Sequence, residues 1–348
     1  MSLSGSFAQA TATPTEVGFY YGTSSASMTR KVTATIPSGT SGSFSAIVSG
    51  LSSGVVYYYK PYVIVSGSGT YASQQKEIAG SYGQFEIPVE ESVSGWLELP
   101  AVVKDSDDYV NTYYAGKARN YTHLYDKSTY ASLWTAYPLY KSTTGGSRSE
   151  SWAANPNLDT SKQINIWDGS YGVNYGSTIY ARGHQIPDAD RSNNATMQEH
   201  TYYATNLVPQ IQEKFNGGIW MNLESAIRDA IPASDTLYVV TGVTFKKVGG
   251  SETVTYIKPK HDTKQCPVPN YFYKVLLKVK RTSGGGLTSA SAIGFWFEHK
   301  QYSDSYTNYA VSVDQIEQWT GFDFFVNLPD SMETEAEKNN NWSTFKSF

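Results

Sequence analysis

Arg182, Gly183 and His184, within Tyr180-Ala-Arg-Gly-His-Gln-Ile-Pro187, are the residues of this chain best suited to chemistry. On an extended segment side chains alternate, so Arg182 and His184 project from one side of the backbone. Gly183 between them leaves the other side open for close approach by a second element. A neutral imidazole takes a proton from water, and a fixed guanidinium holds negative charge as it develops. Phosphodiester hydrolysis needs both. Asn206, Asn216, Glu224 and Arg228 follow. Magnesium keeps several of its waters and needs few protein ligands, so the Asn216 amide oxygen alone would anchor it. Glu224 is eight residues further on, about 12 Å along a straight helix, which suits it to hold the ion's waters rather than the ion. Alternatively, Gly217-Gly218 lets Asn216 sit in a loop ahead of the helix and fold back. Arg228, one turn after Glu224, shares its face and orients the carboxylate.

The elements that must position these groups can be read from periodicity. Ile219, Leu223, Ala226, Ile227 and Ala230 recur at helical spacing and predict a helix over about 217–230, stopped by Pro232. A second helix is expected near Ser312–Thr320, with Ser312 as N-cap and Gln315 at the capping-box position. Thr236–Thr241 and Tyr271–Val279 read as strands, and 121–125 and 133–137 are aromatic-rich. Residues 1–80 are poor in charge and show short alternating runs at Val17–Tyr21, Lys31–Ile36, Ser43–Val48 and Val55–Ile64, a small β-sandwich pattern. A linker is expected at 81–100, followed by a second domain over 101–348.

Composition sets the bounds. At 348 residues the chain accommodates two domains, and 28 tyrosines, 29 glycines and only 17% charged residues favour strands and turns over long helices. No run of 18 apolar residues suggests a membrane span. The opening Met1–Ser6 lacks the basic and apolar regions of a signal peptide. Cys266 is alone, so no intrachain disulfide forms. Net charge is −4: residues 1–80 hold four basic and two acidic groups, which leaves 23 basic against 29 acidic in 81–348. That balance predicts weak non-specific affinity for nucleic acid away from a local site. Phosphate loops of the Walker type and Cys/His arrays at zinc spacing are absent.

Two resemblances add to this reading. Gly50-Leu-Ser-Ser-Gly-Val-Val-Tyr57 resembles the Leu-to-Tyr corner of fibronectin type III domains, implying an all-β front module available for carbohydrate or protein contact. Over roughly 105–335 the chain resembles the DNA/RNA non-specific endonucleases, the ββα-metal nucleases that include endonuclease G. Arg182, Gly183, His184, Asn206, Pro209, Gln210, Asn216, Gly218, Trp220, Leu223 and Glu224 fall on that family's ordered motifs. Arg148 with Trp152 resembles its earlier Arg-Trp segment, and Thr241-Gly242 and Thr320–Pro329 its closing elements. Ala181 departs from the pattern, standing where the family commonly has Asp.

The resemblance implies an α+β domain with a central antiparallel sheet, endonucleolytic cleavage of DNA and RNA to 5′-phosphates, and export from the cell. Magnesium is the expected ion, with manganese or another divalent ion as substitutes. Expected roles are His184 as general base, Arg182 and Arg148 on the phosphorane, Asn206 on water or phosphate, Asn216 on the metal, Glu224 on its waters and Arg228 in support. Two other readings stay open: a binding or adhesion protein on a nuclease scaffold, and a phosphodiesterase for small nucleotides. Asp188, Asp190 and Arg191 read as a structural salt-bridge cluster, the two aspartates being the second candidate for a magnesium site. His123, His200, His261 and His299 read as structural.

Overall fold

A computed structural model describes the chain except residues 1, 9, 11, 24–27, 49–55, 67–74, 80–82, 87–95, 103–104, 173–177 and 234. It divides into two compact units, Met1–Val93 and Ser94–Phe348.

The front unit holds β1 (Ser2–Phe7), β2 (Glu16–Gly22), β3 (Arg30–Ala34), β4 (Gly42–Ile47), β5 (Val56–Ser66), β6 (Gln75–Ala79) and β7 (Gly83–Glu86). β1 pairs with β4, and a second sheet runs β3-β2-β5-β6 with β7 also on β5. Along β4 the alternation puts Phe44 and Ala46 inside and Ser43, Ser45 and Ile47 outside. The Phe19 and Phe44 rings, 5.2 Å apart, join the two sheets through one apolar cluster. The Leu-to-Tyr corner lies outside the described residues up to Val55, so the fibronectin likeness gains no support from it.

At its two ends the expected linker over 81–100 gives way to structure, while 87–95 lie outside the described residues. β7 within it pairs with β5, and residues 97–100 are buried in the rear unit. There the carboxylate of Glu98, fully buried, sits 2.6 Å from Arg119, whose guanidinium lies 4.0 Å from the Trp96 ring centroid.

The rear unit opens with a meander of β8 (Asp108–Ala115), β9 (Ala118–Asp126) and β10 (Ala131–Leu139). The chain then leaves for a two-stranded ribbon, β11 (Tyr180–His184) with β12 (Leu207–Ile211), and α1 (Ala195–Thr201) lies between them in sequence. Helix α2 (Met221–Asp229) follows, and β13 (Leu237–Thr244) returns to the sheet. After the small pair β14 (Tyr256–Ile257) and β15 (Cys266–Pro267) come the long hairpin β16 (Tyr271–Arg281) and β17 (Leu287–Glu298), then β18 (Ala310–Val311). The result is a seven-stranded sheet, β18-β17-β16-β13-β10-β9-β8, with every neighbour antiparallel.

Both faces of this sheet are covered. Trp220, Leu223 and Ile227 of the α2 region pack on one face with Val239, Phe272, Leu276, Ile293 and Phe295. At about 1.5–3 kcal/mol for each large apolar side chain buried, this face is what anchors α2. On the other face α3 (Val313–Thr320) lies over β17, the Trp319 ring 4.7 Å from that of Trp296. Ser312 caps it as expected, its Oγ accepting from Gln315 N at 3.2 Å, and Gly321 ends it at φ 76°, a left-handed position that favours glycine. Helices α4 (Asp330–Ala336) and α5 (Trp342–Ser347) complete the unit.

The helix expected over 217–230 is shorter. It starts at Met221, and residues 212–220 form an irregular turn with Lys214 in the left-handed region at φ 58°. Phe215, Ile219 and Trp220 enter the core from that turn, so their spacing mimics a helix the backbone does not make there.

Candidate active site

The ribbon sets the first part of the site. Arg182 pairs with Pro209, Gly183 with Val208 and His184 with Leu207. A Cβ on Gly183 would lie 2.5 Å from Gln210 Cβ, so β12 approaches closer there than any other residue type allows. The far end of β12 is held by His299, whose Nε2 accepts from Ile211 N at 2.8 Å while its Nδ1 faces Pro269 O at 2.8 Å. Those two partners require a neutral ring protonated on Nδ1. Burial agrees, holding His299 down at about 4.

Asn206 is corrected by the structure. It is wholly buried behind the ribbon, where its Oδ1 accepts from Ile186 N at 3.1 Å and its Nδ2 donates to the Ile186 and Thr201 carbonyls at 3.0 and 2.8 Å. Every polar atom of that amide is occupied within the protein. It does not line the cleft; instead it pins the chain just after His184.

The other expected residues share one cleft. Arg148, Arg182, His184, Asn216, Glu224 and Arg228 line a space of ≈ 460 Å³ together with Asp188, Gln212 and Ser225. Because Asn216 lies in the turn ahead of α2, it and Glu224 reach the same space despite their separation in sequence. A smaller groove carries Arg148, Arg182, Gln212 and Asn216 onward to Trp152 and Ala181, so the residue that departs from the family pattern borders the site.

His184 is half-buried between aromatic rings: Trp152 at 5.4 Å and Tyr202 edge-on at 5.3 Å. Its Nε2 is shielded from solvent and has no hydrogen-bond partner among the described residues. Burial, then the charges of Arg148 and Arg182, lower this imidazole to about 3, so it is neutral at physiological pH. Trp152 also supports a cation: the Arg182 guanidinium stands 4.1 Å from its ring centroid. That contact contributes about 0.5–2 kcal/mol and limits where the arginine points.

Asp188 and Asp190 hold the remaining arginines. Arg148 Nη1 donates to Asp188 Oδ1 at 3.2 Å, and Arg228 Nη1 to Asp190 Oδ1 at 2.9 Å. Tyr137 Oη donates to the other Asp190 oxygen at 2.8 Å. These carboxylates are engaged with cations, which disfavours a magnesium site built from them. Arg191 stands apart from the pairing the sequence suggested: it is fully buried and donates to Asn120, to the backbone carbonyls of Pro138 and Asp190, and to the Thr143 hydroxyl.

Lys274 is the residue that spacing did not reveal. It is buried on β16, donates to Thr241 Oγ1 at 2.7 Å and lies 4.7 Å from the Trp220 ring centroid. Burial raises the Glu224 carboxyl, and the Lys274 charge is the strongest influence pulling it back towards ionisation. A lysine inside an apolar strand was the available signal, since a buried ammonium needs a reason.

The donors present suit a hard divalent ion. Asn216 Nδ2 donates to Gln212 Oε1 at 3.2 Å, which turns its oxygen free of any partner among the described residues. Glu224, in the same cleft, has no hydrogen bond or ion pair within 4 Å there either. One amide oxygen and one carboxylate with spare acceptor capacity match magnesium-type coordination.

Comparison with known proteins agrees with this geometry. The sequence profile of the DNA/RNA non-specific endonucleases matches residues 105–331. "Nuclease 1, mitochondrial" of Schizosaccharomyces pombe is 26% identical over 218 residues, 60% of this chain and 65% of that protein. A "Nuclease" of a Nostoc species is 27% identical over 227 residues, 62% of this chain and 75% of that protein. The chain thus spans less than two thirds of the first of these relatives and three quarters of the second, and about half of a "Nuclease" of Syncephalastrum racemosum that is 30% identical over 164 residues. A solved EndoG/EndoGI complex superposes with a TM-score of 0.50 at 20% identity, covering 65% of this chain and 89% of its counterpart, and so shows the shared fold.

The expectation of export is overturned by the Schizosaccharomyces pombe relative and by one from Saccharomyces cerevisiae, 26% identical over 163 residues, both of which bear the names of mitochondrial nucleases. A profile match over most of the rear unit, on a fold that brings Arg182, His184, Asn216 and Glu224 into one cleft, leads to one conclusion: the chain belongs to the DNA/RNA non-specific endonuclease family.

Proposed function

We propose that the rear unit hydrolyses phosphodiester bonds of DNA and RNA without sequence preference, in a metal-dependent reaction that leaves 5′-phosphates. The observation that carries this reading is the convergence of a neutral, unpartnered imidazole (His184) and two arginines on one cleft with Asn216 and Glu224.

His184 accepts the proton of the attacking water; its depressed basicity keeps it unprotonated throughout the physiological range. Arg182, steadied on Trp152, and Arg148, tethered by Asp188, place positive charge where the pentacovalent phosphorane gathers negative charge. The bond to the 3′-oxygen breaks and the phosphate stays on the 5′ side. Asn216 would hold a divalent ion directly and Glu224 its waters, with Lys274 and Arg228 opposing the burial that pushes that carboxyl up to about 7. Bound there, magnesium or manganese would neutralise the scissile phosphate and the leaving oxygen. The acidic balance of 81–348 fits an enzyme that releases its product and grips nucleic acid only locally.

The test is nicking of supercoiled plasmid and of RNA with magnesium. Cleavage should vanish with EDTA and with His184→Ala. DNA binding without turnover in the parent would favour a binding protein on this scaffold instead. Turnover of a chromogenic phosphodiester but not of plasmid would favour a small-nucleotide phosphodiesterase.

A further inference from the structure

On the opposite face of the sheet from α2, the first turn of α3 meets the end of α4. Asp314 and Glu317 of α3 and Glu337, which follows α4, each offer a carboxylate oxygen within 4.8 Å of the others. The backbone locks this meeting point, since Val313 N donates to Glu337 O at 2.9 Å. Glu337 is only 5% exposed, and its Oε1 has no hydrogen-bond partner among the described residues. The charges acting most strongly on it are all carboxylates: Glu317, Glu333, Asp314 and Asp323.

We propose that Asp314, Glu317 and Glu337 form a second divalent-cation site, for calcium, which ties the start of α3 to the end of α4. A buried carboxylate ringed by like charges costs several kcal/mol unless something positive joins it. Calcium takes its oxygens at about 2.3–2.6 Å in flexible geometry, so three carboxylates that already meet within 4.8 Å of one another need only small side-chain shifts to share one ion. Magnesium, at about 2.0–2.1 Å and in near-octahedral order, would have to draw them closer together. Glu317 Oε1 already accepts from Phe324 N at 2.7 Å, which leaves its second oxygen for the ion and steadies the group. Burial and mutual repulsion also push Glu337 up to about 9 and Glu317 up to about 7, the strain a bound cation relieves. None of the three lines the catalytic cleft, so this site is separable from cleavage.

The experiment titrates calcium alone into the EDTA-stripped full chain, with stoichiometry read by calorimetry. Terbium luminescence excited through Trp319, on the same helix, gives a local signal. The parent should bind one more ion per chain than Glu337→Gln, or bind it about tenfold or more tightly than the variant does. Calcium should raise the melting temperature of the parent and not of Glu337→Gln, while plasmid cleavage by the variant matches the parent. Should Glu337→Gln fail to fold, Asp314→Asn at the more open edge of the cluster supplies the same comparison. Equal ion counts and equal affinities in parent and variant overturn the proposal. So does a calcium-free gain in stability on Glu337→Gln with no calcium response in the parent, which marks carboxyls that merely share protons.

Discussion

The two units solve opposite problems. The front unit buries an apolar cluster of Leu3, Val17, Phe19, Phe44, Val63 and Val65. Among the described residues every buried polar or charged side chain lies in the rear unit, from Glu98 to Glu337. All five histidines are there as well. A β-sheet pair needs only apolar surface to hold together, whereas a cleft for a charged reaction needs cations, acceptors and an imidazole held against solvent. Each such group must then find partners in the interior, and Asn206, Asp188, Asp190 and Lys274 show how.

If that contrast is right, single changes in the rear unit should separate chemistry from stability. His184→Ala should lower the plasmid-nicking rate by about 10²–10⁴-fold with an unchanged melting temperature, the range expected when a general base is lost. Asn206→Ala should act the other way, first on folding. It leaves Ile186 N and two carbonyls without partners, at about 1–3 kcal/mol each, so a loss of about 3 kcal/mol or more is expected by urea unfolding. A variant as stable as the parent would return Asn206 to the list of cleft residues.

Asn216→Ala should lower the rate at limiting magnesium by about 10–100-fold and recover as magnesium is raised, the mark of a ligand rather than a base. No recovery at any magnesium concentration would remove it from the ion.

Acid should distinguish the units. Burial holds His123 at about 3 and His299 at about 4 in the folded state, below the ordinary value of about 6.5 that applies when unfolded. The unfolded chain therefore takes up protons first, and stability falls as pH drops from about 6.5 towards those folded values. The front unit has no histidine and should show no such loss over that window; parallel melting of both units in acid would erase the distinction. Smallest of all, a chain limited to residues 94–348 should nick plasmid within about threefold of the full rate, as separate compact units imply. A collapse of activity would give the front unit a part in catalysis.

Much of this was legible in advance because it is local. Alternation marked β2, β4 and β5 within a few residues, β13 and β16 read as strands from their own short runs, and Ser312 with Gln315 marked α3, since capping and pleat are decided by neighbours in the chain. β17 escaped: Leu287-Thr-Ser-Ala-Ser-Ala-Ile-Gly is weakly alternating, and it is a strand because β16 pairs along its length. The start of α2 escaped for the converse reason. Phe215 and Ile219 obey helical spacing, yet tertiary burial draws them into the core from an irregular turn.

What the sequence alone determined was the chemistry available: an Arg-Gly-His triplet, an amide and a carboxylate in fixed order, and a glycine that lets two strands close. Residue type and spacing are enough for that, because pKa class, donor count and strand direction are intrinsic to the chain. Which groups may touch a substrate was decided only by the tertiary structure. It sealed Asn206 behind the ribbon, brought Asn216 and Glu224 to one cleft, and buried Lys274 where its charge acts on Glu224, because burial and long-range pairing assign partners that no local pattern encodes.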